Sequence, residues 1–441
     1  MKKQFRLIAS LLICAFASAA YVHAQSDAEK QVTELNVNGL KILVKRRPGV
    51  PTAAVALFIK GGSTNLTPEN AGIESFMLAA STEASKSYPR EKLRQELART
   101  ATNVSFSSGP DYSALVMACT KQNFDDSWKM FTDIAVNPSF APEDVERIRG
   151  NILTALRGKQ DSPDEALNDA VAKTIYTGHP YANDPDGTPE NIARFTPADL
   201  AAYHKRVMQT SQLLLVIVGD VDPAQIEKLA TASFGQLPKG NYTQPAVPAL
   251  TFTKGTLDTV NRPLETDYIK GSFAAPPLSD PDYYPMRVAI SVLQTQVYQE
   301  VRTKRGLSYA PDAGLETNAA NDAFLYVTTT KPNEAVGAML EKVKDLRENE
   351  ITADTIREYG NFFLTTYYMG QETDAAQAGE LARYELLGGG WRNSFGFIDR
   401  LRQVTPAQVK AVAQKYMKNI RFDVVGDPSR VDRTIFLPAS Y

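Results

Sequence analysis

The sequence repeats itself once, and this internal repeat constrains the fold more than any other feature. Residues 196–208 (TPADLAAYHKRVM) resemble residues 405–417 (TPAQVKAVAQKYM), 209 positions later. In each copy a threonine at the N-cap, a proline at the first helical position and apolar residues at helical spacing predict the start of a helix. An apolar strand ending in Val-Gly-Asp follows each helix, and an upstream strand at 115–120 matches another at 325–330. Several matches in order at a nearly constant offset indicate a duplicated domain.

The order of elements within each half predicts the fold class. Each half reads as strand, strand, helix, strands, helices, strand. The paired strands are too close in sequence for parallel crossovers, so we expect two α+β domains, each a mostly antiparallel sheet packed against helices. We place the N-terminal domain at residues 32–240, a linker rich in proline and glycine at 241–262, and the C-terminal domain at 263–435.

The composition excludes several classes of protein. The chain of 441 residues has 48 Lys+Arg against 50 Asp+Glu, which argues against a nucleic-acid partner because such proteins normally carry a basic face. Two cysteines exclude a disulfide scaffold and a cysteine-based zinc module. The motifs of serine hydrolases, P-loop enzymes and dinucleotide-binding proteins are not found, so a hydrolase of another kind is a minor alternative.

The N-terminus has the pattern of a secretory signal peptide. Lys2, Lys3 and Arg6 precede a short apolar run, and the sequence Val-His-Ala at 22–24 supplies small residues for cleavage after Ala24. We therefore expect residues 1–24 to be a signal peptide and the mature protein to be periplasmic, the alternative being a buried N-terminal helix. We expect no transmembrane segment elsewhere in the sequence. Cleavage would leave one cysteine, Cys119, and only two histidines.

Several short motifs, taken in order, identify a family. They are the strand pair LNVNGLKILV at 35–44, Gly-Gly-Ser at 61–63, His-Pro-Tyr at 179–181, the two Val-Gly-Asp strands, and RTKRGLSY at 302–309. This ordered set in a duplicated chain resembles the M16 (pitrilysin/insulinase-like) metallopeptidase family. It is most similar to the branch with two-domain subunits, which includes the mitochondrial processing peptidase and bacterial periplasmic relatives. The resemblance implies the metallohydrolase fold of the M16 and LuxS type.

Active members of this family carry an H-x-x-E-H zinc motif on the first helix of the first domain. Here Ser75 and Ala79 replace the two histidines and Leu78 replaces the glutamate. The region of the third ligand, residues 151–156, contains no acidic residue, and Glu74 and Glu83 are the nearby carboxylates. We therefore expect no metal, no cofactor and no catalytic residue on this chain.

The two remaining histidines do not restore a zinc site. His179 and His204 are 25 residues apart, whereas a helical pair of zinc ligands needs a spacing of four. We expect His179 to be a structural residue of a turn and His204 to be a packed residue of an amphipathic helix.

A second family element is retained. Arg302 and Tyr309 match the motif R-x-x-x-G-L-x-Y, whose arginine and tyrosine contact substrate in active members of the family. A guanidinium and a phenol can both donate hydrogen bonds to a peptide carbonyl. We expect a helix that carries Arg302, a turn at Gly306 and a strand that carries Tyr309. The alternative is that both are ordinary surface residues.

The resemblance implies a zinc-free, non-catalytic subunit of a heteromeric periplasmic peptidase. An active M16 subunit bearing H-x-x-E-H would be the partner and would hold the zinc, while this chain closes the chamber and contributes Arg302 and Tyr309. The substrate would be an extended peptide added to a sheet edge, and the chain alone would have no peptidase activity. The alternative is a stand-alone peptide-binding or scaffold protein with no role in proteolysis.

Overall fold

A computed structural model describes residues 28–438 of the chain. The expected signal peptide, residues 1–24, lies outside the described residues. Within them, no helix is both long enough and apolar enough to cross a membrane.

The first half contains a six-stranded sheet. Its outermost strands are β1 at one edge and β4 at the other, and the order across the sheet is β1-β2-β6-β3-β5-β4. Neighbouring strands are antiparallel except for the pair formed by β2 and β6. The strands are β1 (Val32–Val37), β2 (Leu40–Arg46), β3 (Thr52–Lys60), β4 (Asn103–Ser108), β5 (Tyr112–Thr120) and β6 (Leu213–Gly219).

Eight helices accompany this sheet in the described sequence. Several of them cover one face of the sheet and form the first hydrophobic core. They are α1 (Ile73–Ser81), α2 (Arg90–Arg99), α3 (Phe124–Val136), α4 (Pro142–Asp161), α5 (Pro163–Ile175), α6 (Pro189–Arg194), α7 (Pro197–Val207) and α8 (Pro223–Ser233).

The second half repeats this plan with one strand fewer. Its five strands are β7 (Thr256–Asn261), β8 (Asp267–Ala274), β9 (Asp312–Leu315), β10 (Asp322–Thr329) and β11 (Arg421–Gly426). Their order is β7-β11-β8-β10-β9, and the pair formed by β7 and β11 is parallel. Strand β7 lies inside the segment that the sequence predicts as a linker. The strand was not predicted because its buried and exposed residues do not alternate as they do in a half-buried strand.

The second sheet is also accompanied by helices, which build a second core on one of its faces. They are α9 (Tyr283–Val297), α10 (Pro332–Glu348), α11 (Ala353–Met369), α12 (Asp374–Leu387), α13 (Phe397–Arg402), α14 (Pro406–Tyr416) and α15 (Arg433–Phe436). The predicted fold class, two α+β domains with mostly antiparallel sheets, is confirmed.

The repeated helix starts form the same local structure twice. Thr196 Oγ1 accepts a hydrogen bond from the Asp199 amide (3.2 Å), and Thr405 Oγ1 accepts one from the Gln408 amide (3.3 Å). In both helices the N-cap amide donates a hydrogen bond to the side-chain oxygen at the third position, Asp199 or Gln408, which completes a capping box. The predicted starts of α7 and α14 are therefore confirmed.

The two halves exchange one helix each. Helix α12 of the second half packs across β3 and β6 of the first sheet, on the face opposite the first core. Helix α5 of the first half packs in the same way across β11 and β8 of the second sheet. Each sheet is therefore covered on one face by its own helices and on the other by a helix of the other half.

Candidate functional site

The resemblance places the zinc motif of active relatives on α1. It begins after Gly72, whose φ of +91° places it in the left-handed region. Leu78 and Ala79 are buried in the first core, and Ser75 is half-buried. Leucine and alanine side chains have no lone pair to donate, so the positions of the motif do not fit a zinc ion. Within residues 28–438 there is no group of three or more His, Cys, Asp and Glu side chains that could hold a metal.

The two acidic residues near this helix have structural partners. Glu74 is buried, and its carboxylate accepts hydrogen bonds from the Ser113 hydroxyl and from the Tyr203 hydroxyl (2.7 Å). Burial raises the pKa of Glu74 above its ordinary value, and the two hydrogen bonds oppose this shift. Glu83 forms ion pairs with Arg90 and Arg147 instead.

The two histidines are structural, as the sequence predicts. His179 Nδ1 accepts a hydrogen bond from the Tyr181 amide (3.1 Å), and its Nε2 lies 2.9 Å from the Pro248 carbonyl oxygen. The ring therefore holds the turn against the segment that joins the halves. His204 Nε2 lies 2.8 Å from the Ala135 carbonyl oxygen, and burial lowers the pKa of this imidazole. Cys119 is a buried free thiol, also as predicted.

Arg302 lies on a short π-helix, residues Tyr298–Lys304, that continues directly from α9. Such π-helical turns are rare and are often found at functional sites. The chain leaves this helix at Gly306, whose φ is +60°, and the Leu307 amide donates to the Val301 carbonyl. The expectation that Tyr309 lies on a strand is wrong. Tyr309 lies in the loop before β9, because the strand begins only after Pro311, which has no amide hydrogen for the ladder.

The Arg302 guanidinium is held between two tyrosine rings. Its Cζ lies 4.3 Å from the centroid of the Tyr309 ring and 5.0 Å from that of the Tyr298 ring. Both distances are in the range of cation–π contacts. Tyr309 is 80% exposed, and the Arg302 side chain forms no hydrogen bond or ion pair within the described part of the chain. The N–H groups of Arg302 are therefore available to a ligand.

These side chains line a cleft of about 550 Å³ next to the edge strand β9. Asp312, the first residue of β9, accepts a hydrogen bond from Gln294 Nε2 (2.7 Å) at the rim. Tyr326 of the neighbouring strand β10 also lines the cleft. The Tyr326 hydroxyl already donates to Asp164 (2.5 Å), so the cleft offers a cation, a carboxylate and the phenols of Tyr298 and Tyr309 beside a strand edge.

The sequence predicts Arg302 and Tyr309 but does not identify Tyr298. The spacing of four residues between Tyr298 and Arg302 on one helix was the available signal, since residues at that spacing lie on the same helical face. The structure brings Arg302 and Tyr309 into contact. It does not bring either of them into contact with Ser75, Leu78 or Ala79.

Two family models match adjoining parts of the chain. The model described as "Insulinase (Peptidase family M16)" matches residues 41–188, and the one described as "Peptidase M16 inactive domain" matches residues 194–361. Together they extend over most of the chain.

Individual relatives and structures agree with these matches. An uncharacterized zinc protease of Mycobacterium leprae is 22% identical over 400 residues, which cover 86% of this chain and 87% of that protein. Subunit 1 of the mitochondrial cytochrome b-c1 complex of Bos taurus is 25% identical over 280 residues, 63% of this chain and 58% of that protein. A crystal structure of a peptidase M16 inactive domain from Pseudomonas fluorescens superimposes with a TM-score of 0.83 at 19% identity, covering 90% of this chain and 98% of that one.

The fold, the family models and the composition of α1 lead to one conclusion. The chain belongs to the M16 peptidase family, and α1 carries Ser75, Leu78 and Ala79 where the resemblance places the zinc motif of active members.

Proposed function

We propose that this chain is the zinc-free subunit of a heteromeric periplasmic M16 peptidase and that it contributes Arg302 and Tyr309 to the binding of an extended peptide. The observation that carries this proposal is the state of the Arg302 guanidinium. It is oriented by two aromatic rings, faces a cleft, and has no acceptor within the described residues. A surface arginine with a purely structural role would normally pair with a carboxylate or a carbonyl.

The geometry supports a role in holding a peptide. The planar guanidinium can donate two parallel hydrogen bonds to the two oxygens of a carboxylate, and it can also donate to a peptide carbonyl oxygen. The Tyr309 hydroxyl can donate another, and the strand edge of β9 can pair with an extended backbone. In this proposal a partner subunit bearing H-x-x-E-H binds the zinc and performs the hydrolysis, while this chain orients the substrate and encloses it.

The test is reconstitution with a catalytic M16 subunit from the same organism. We expect no peptidase activity from this chain alone and activity from the purified complex. Arg302→Ala should lower kcat/KM of the complex at least tenfold, equivalent to about 1.4 kcal/mol or more of lost transition-state stabilisation. Arg305→Ala is the matched control, because Arg305 is three residues away and pairs with Glu300 and Glu341 outside the cleft. Chelator-sensitive cleavage by this chain alone would contradict the proposal.

A second candidate is a scaffold with no role in proteolysis. The similarity to subunit 1 of the cytochrome b-c1 complex favours it, since that protein is a component of a larger assembly by name. This second function would be supported by a stable complex that shows no gain in peptidase activity on assembly. In that case Arg302→Ala would also leave the peptidase activity of the complex unchanged.

A further inference from the structure

The outer edge of β7 lacks the partner that its counterpart in the first half has. Strand β2 pairs in parallel with β6 on one side and antiparallel with β1 on the other, from Val32 opposite Lys45 to Val37 opposite Leu40. Strand β7 pairs in parallel with β11 in the same way, but no strand of residues 28–438 lies on its other side. An open edge of this kind presents unpaired backbone groups that can receive another strand.

A groove lies directly beside this edge. It has a volume of about 630 Å³ and is bounded by α5 on one side and by β7 and β11 on the other; we call it the α5–β7 groove. Thr256 and Asp258 of β7 lie in register with Arg421 and Asp423 of β11. Residues in register on neighbouring strands point to the same face, so these four side chains face α5 together.

The floor of the groove contains polar atoms without partners. Asp423 is fully buried; its Oδ1 accepts a hydrogen bond from the Thr174 hydroxyl (2.7 Å), but its Oδ2 has no hydrogen-bond partner among the described residues. Arg421 Nη1 donates to the Thr174 carbonyl (2.6 Å), whereas Arg421 Nε and Thr256 Oγ1 are also unpartnered. Leaving a buried polar atom unpaired costs about 1–3 kcal/mol. These three atoms are therefore able to form hydrogen bonds with a molecule that enters the groove.

The groove is lined by three acidic side chains and three basic ones, namely Asp169, Asp258, Asp423, Lys173, Arg262 and Arg421. Asp258 is the one charged residue of β7 itself, so it sets the charge that a strand added to this edge would meet. Asp258 and Asp423 lie side by side on adjacent strands, and the charge of Asp258 disfavours ionisation of Asp423. The charges of Arg421 and Lys270 act in the opposite direction and lower the pKa of Asp423. Asp258 is exposed at the centre of β7 and forms no ion pair within the described chain, so a cation placed opposite it would relieve the repulsion.

We propose that the α5–β7 groove binds an extended segment of another polypeptide, which adds to β7 as an antiparallel strand and places a lysine or arginine opposite Asp258. The first half supplies the precedent, because β1 occupies the equivalent position beside β2. Residues directly opposite one another on antiparallel strands have Cβ atoms about 4.5–5.5 Å apart, which suits an ion pair between a basic side chain and Asp258. This site is separate from Arg302 and does not depend on proteolysis.

The test measures the binding of labelled peptides to the mature full-length chain by fluorescence anisotropy. The probe is a fluorescein-labelled strand-forming peptide, Thr-Val-Thr-Lys-Thr-Val-Thr. One comparison peptide has glutamate in place of lysine, and another has the lysine sequence with alternate backbone amides methylated. We expect the lysine peptide to bind at least tenfold more tightly than either comparison peptide, because only it combines the charge with an intact hydrogen-bonding edge.

Variants of the chain locate the site. Asp258→Lys and Asp258→Asn should each weaken binding of the lysine peptide, by at least tenfold for the charge reversal. Glu348→Lys is the matched control, since Glu348 is exposed at the end of α10, away from the groove, and Arg302→Ala should leave the affinity unchanged. The proposal is overturned if the lysine peptide does not bind, if its methylated form binds equally well, or if both Asp258 variants bind like the wild type.

Discussion

The two sheets differ most on the faces that receive a helix from the other half. On the first sheet, Leu214 and Val216 of β6 are buried beneath α12. Both strands end in a glycine, Gly219 in β6 and Gly426 in β11, and counting back from each glycine pairs Leu214 with Arg421 and Val216 with Asp423. Arg421 and Asp423 lie beneath α5. The duplication kept the backbone arrangement and changed the chemistry of the contact from apolar to charged. The apolar contact favours permanent closure, whereas the charged contact leaves a groove and unpaired polar atoms.

The largest expected effect is at the apolar contact. Leu381 of α12 is buried in the cluster that joins α12 to the first sheet. Leu381→Ala should lower the free energy of unfolding by about 3–4 kcal/mol, because it leaves a cavity in a large apolar cluster. The matched change Leu167→Ala on α5 should lower it by only about 2 kcal/mol, because the cluster there is smaller and can relax more. Urea unfolding of the two variants measures this difference, and equal losses would contradict the comparison.

The second effect depends on pH and arises at the charged contact. Burial and the neighbouring Asp258 raise the pKa of Asp423 to about 6 in the folded protein. An aspartate with a raised folded-state pKa stabilises the fold at low pH, and this stability is lost as the pH rises through about 6. Wild-type stability should therefore decline between pH 4 and pH 7, by at most about 3 kcal/mol from this group.

Asp423→Asn should remove that decline. The variant should be more stable than the wild type at pH 8 and close to it at pH 4, as measured by urea unfolding at each pH. Asp354→Asn is the control, because Asp354 lies on an exposed helical turn of α11 with Arg357. A variant that is less stable than the wild type at pH 8 would show that the Asp423 carboxylate is needed in its charged form.

The smallest effect concerns a feature that the duplication left unchanged. Thr196 and Thr405 form the same capping box with the same geometry. Thr196→Ala and Thr405→Ala should each lower the free energy of unfolding by about 1 kcal/mol. Urea unfolding measures both losses. If the losses of the two variants differ by more than about 1 kcal/mol, the two copies have also diverged in these helices.

The sequence was sufficient for the parts of this fold that depend on local patterns. The capping boxes and the Val-Gly-Asp strands recur at constant spacing, so the two domains and their class could be predicted. The exchange of α5 and α12 could not, because the periodicity of a helix shows that one face is apolar but not which sheet that face will cover. Strand β7 was missed for a similar reason: it is an edge strand with mostly exposed residues, and its sequence resembles a loop.

The candidate site was predicted only in part. Arg302 and Tyr309 belong to a recognisable motif, and the loss of ligands at Ser75, Leu78 and Ala79 is visible directly in the residue types. Tyr298 was overlooked although it precedes Arg302 by four residues, and no local pattern in residues 298–304 distinguishes the π-helix there from an ordinary α-helix. The groove beside β7 depends on contacts between residues more than 80 positions apart in sequence.

The exchange of helices has a consequence for the order in which the protein can be completed. The last strand of the first sheet ends at Gly219, but the helix that covers its second face begins only at Asp374, roughly 150 residues later. A first half that folds before that segment is in place leaves the apolar side chains of this face uncovered, among them Leu214 and Val216. A first half that ends before Asp374 would keep this surface exposed, and a large exposed apolar patch favours aggregation. The first half therefore depends on the second for its completion, although its own sheet needs no strand from it.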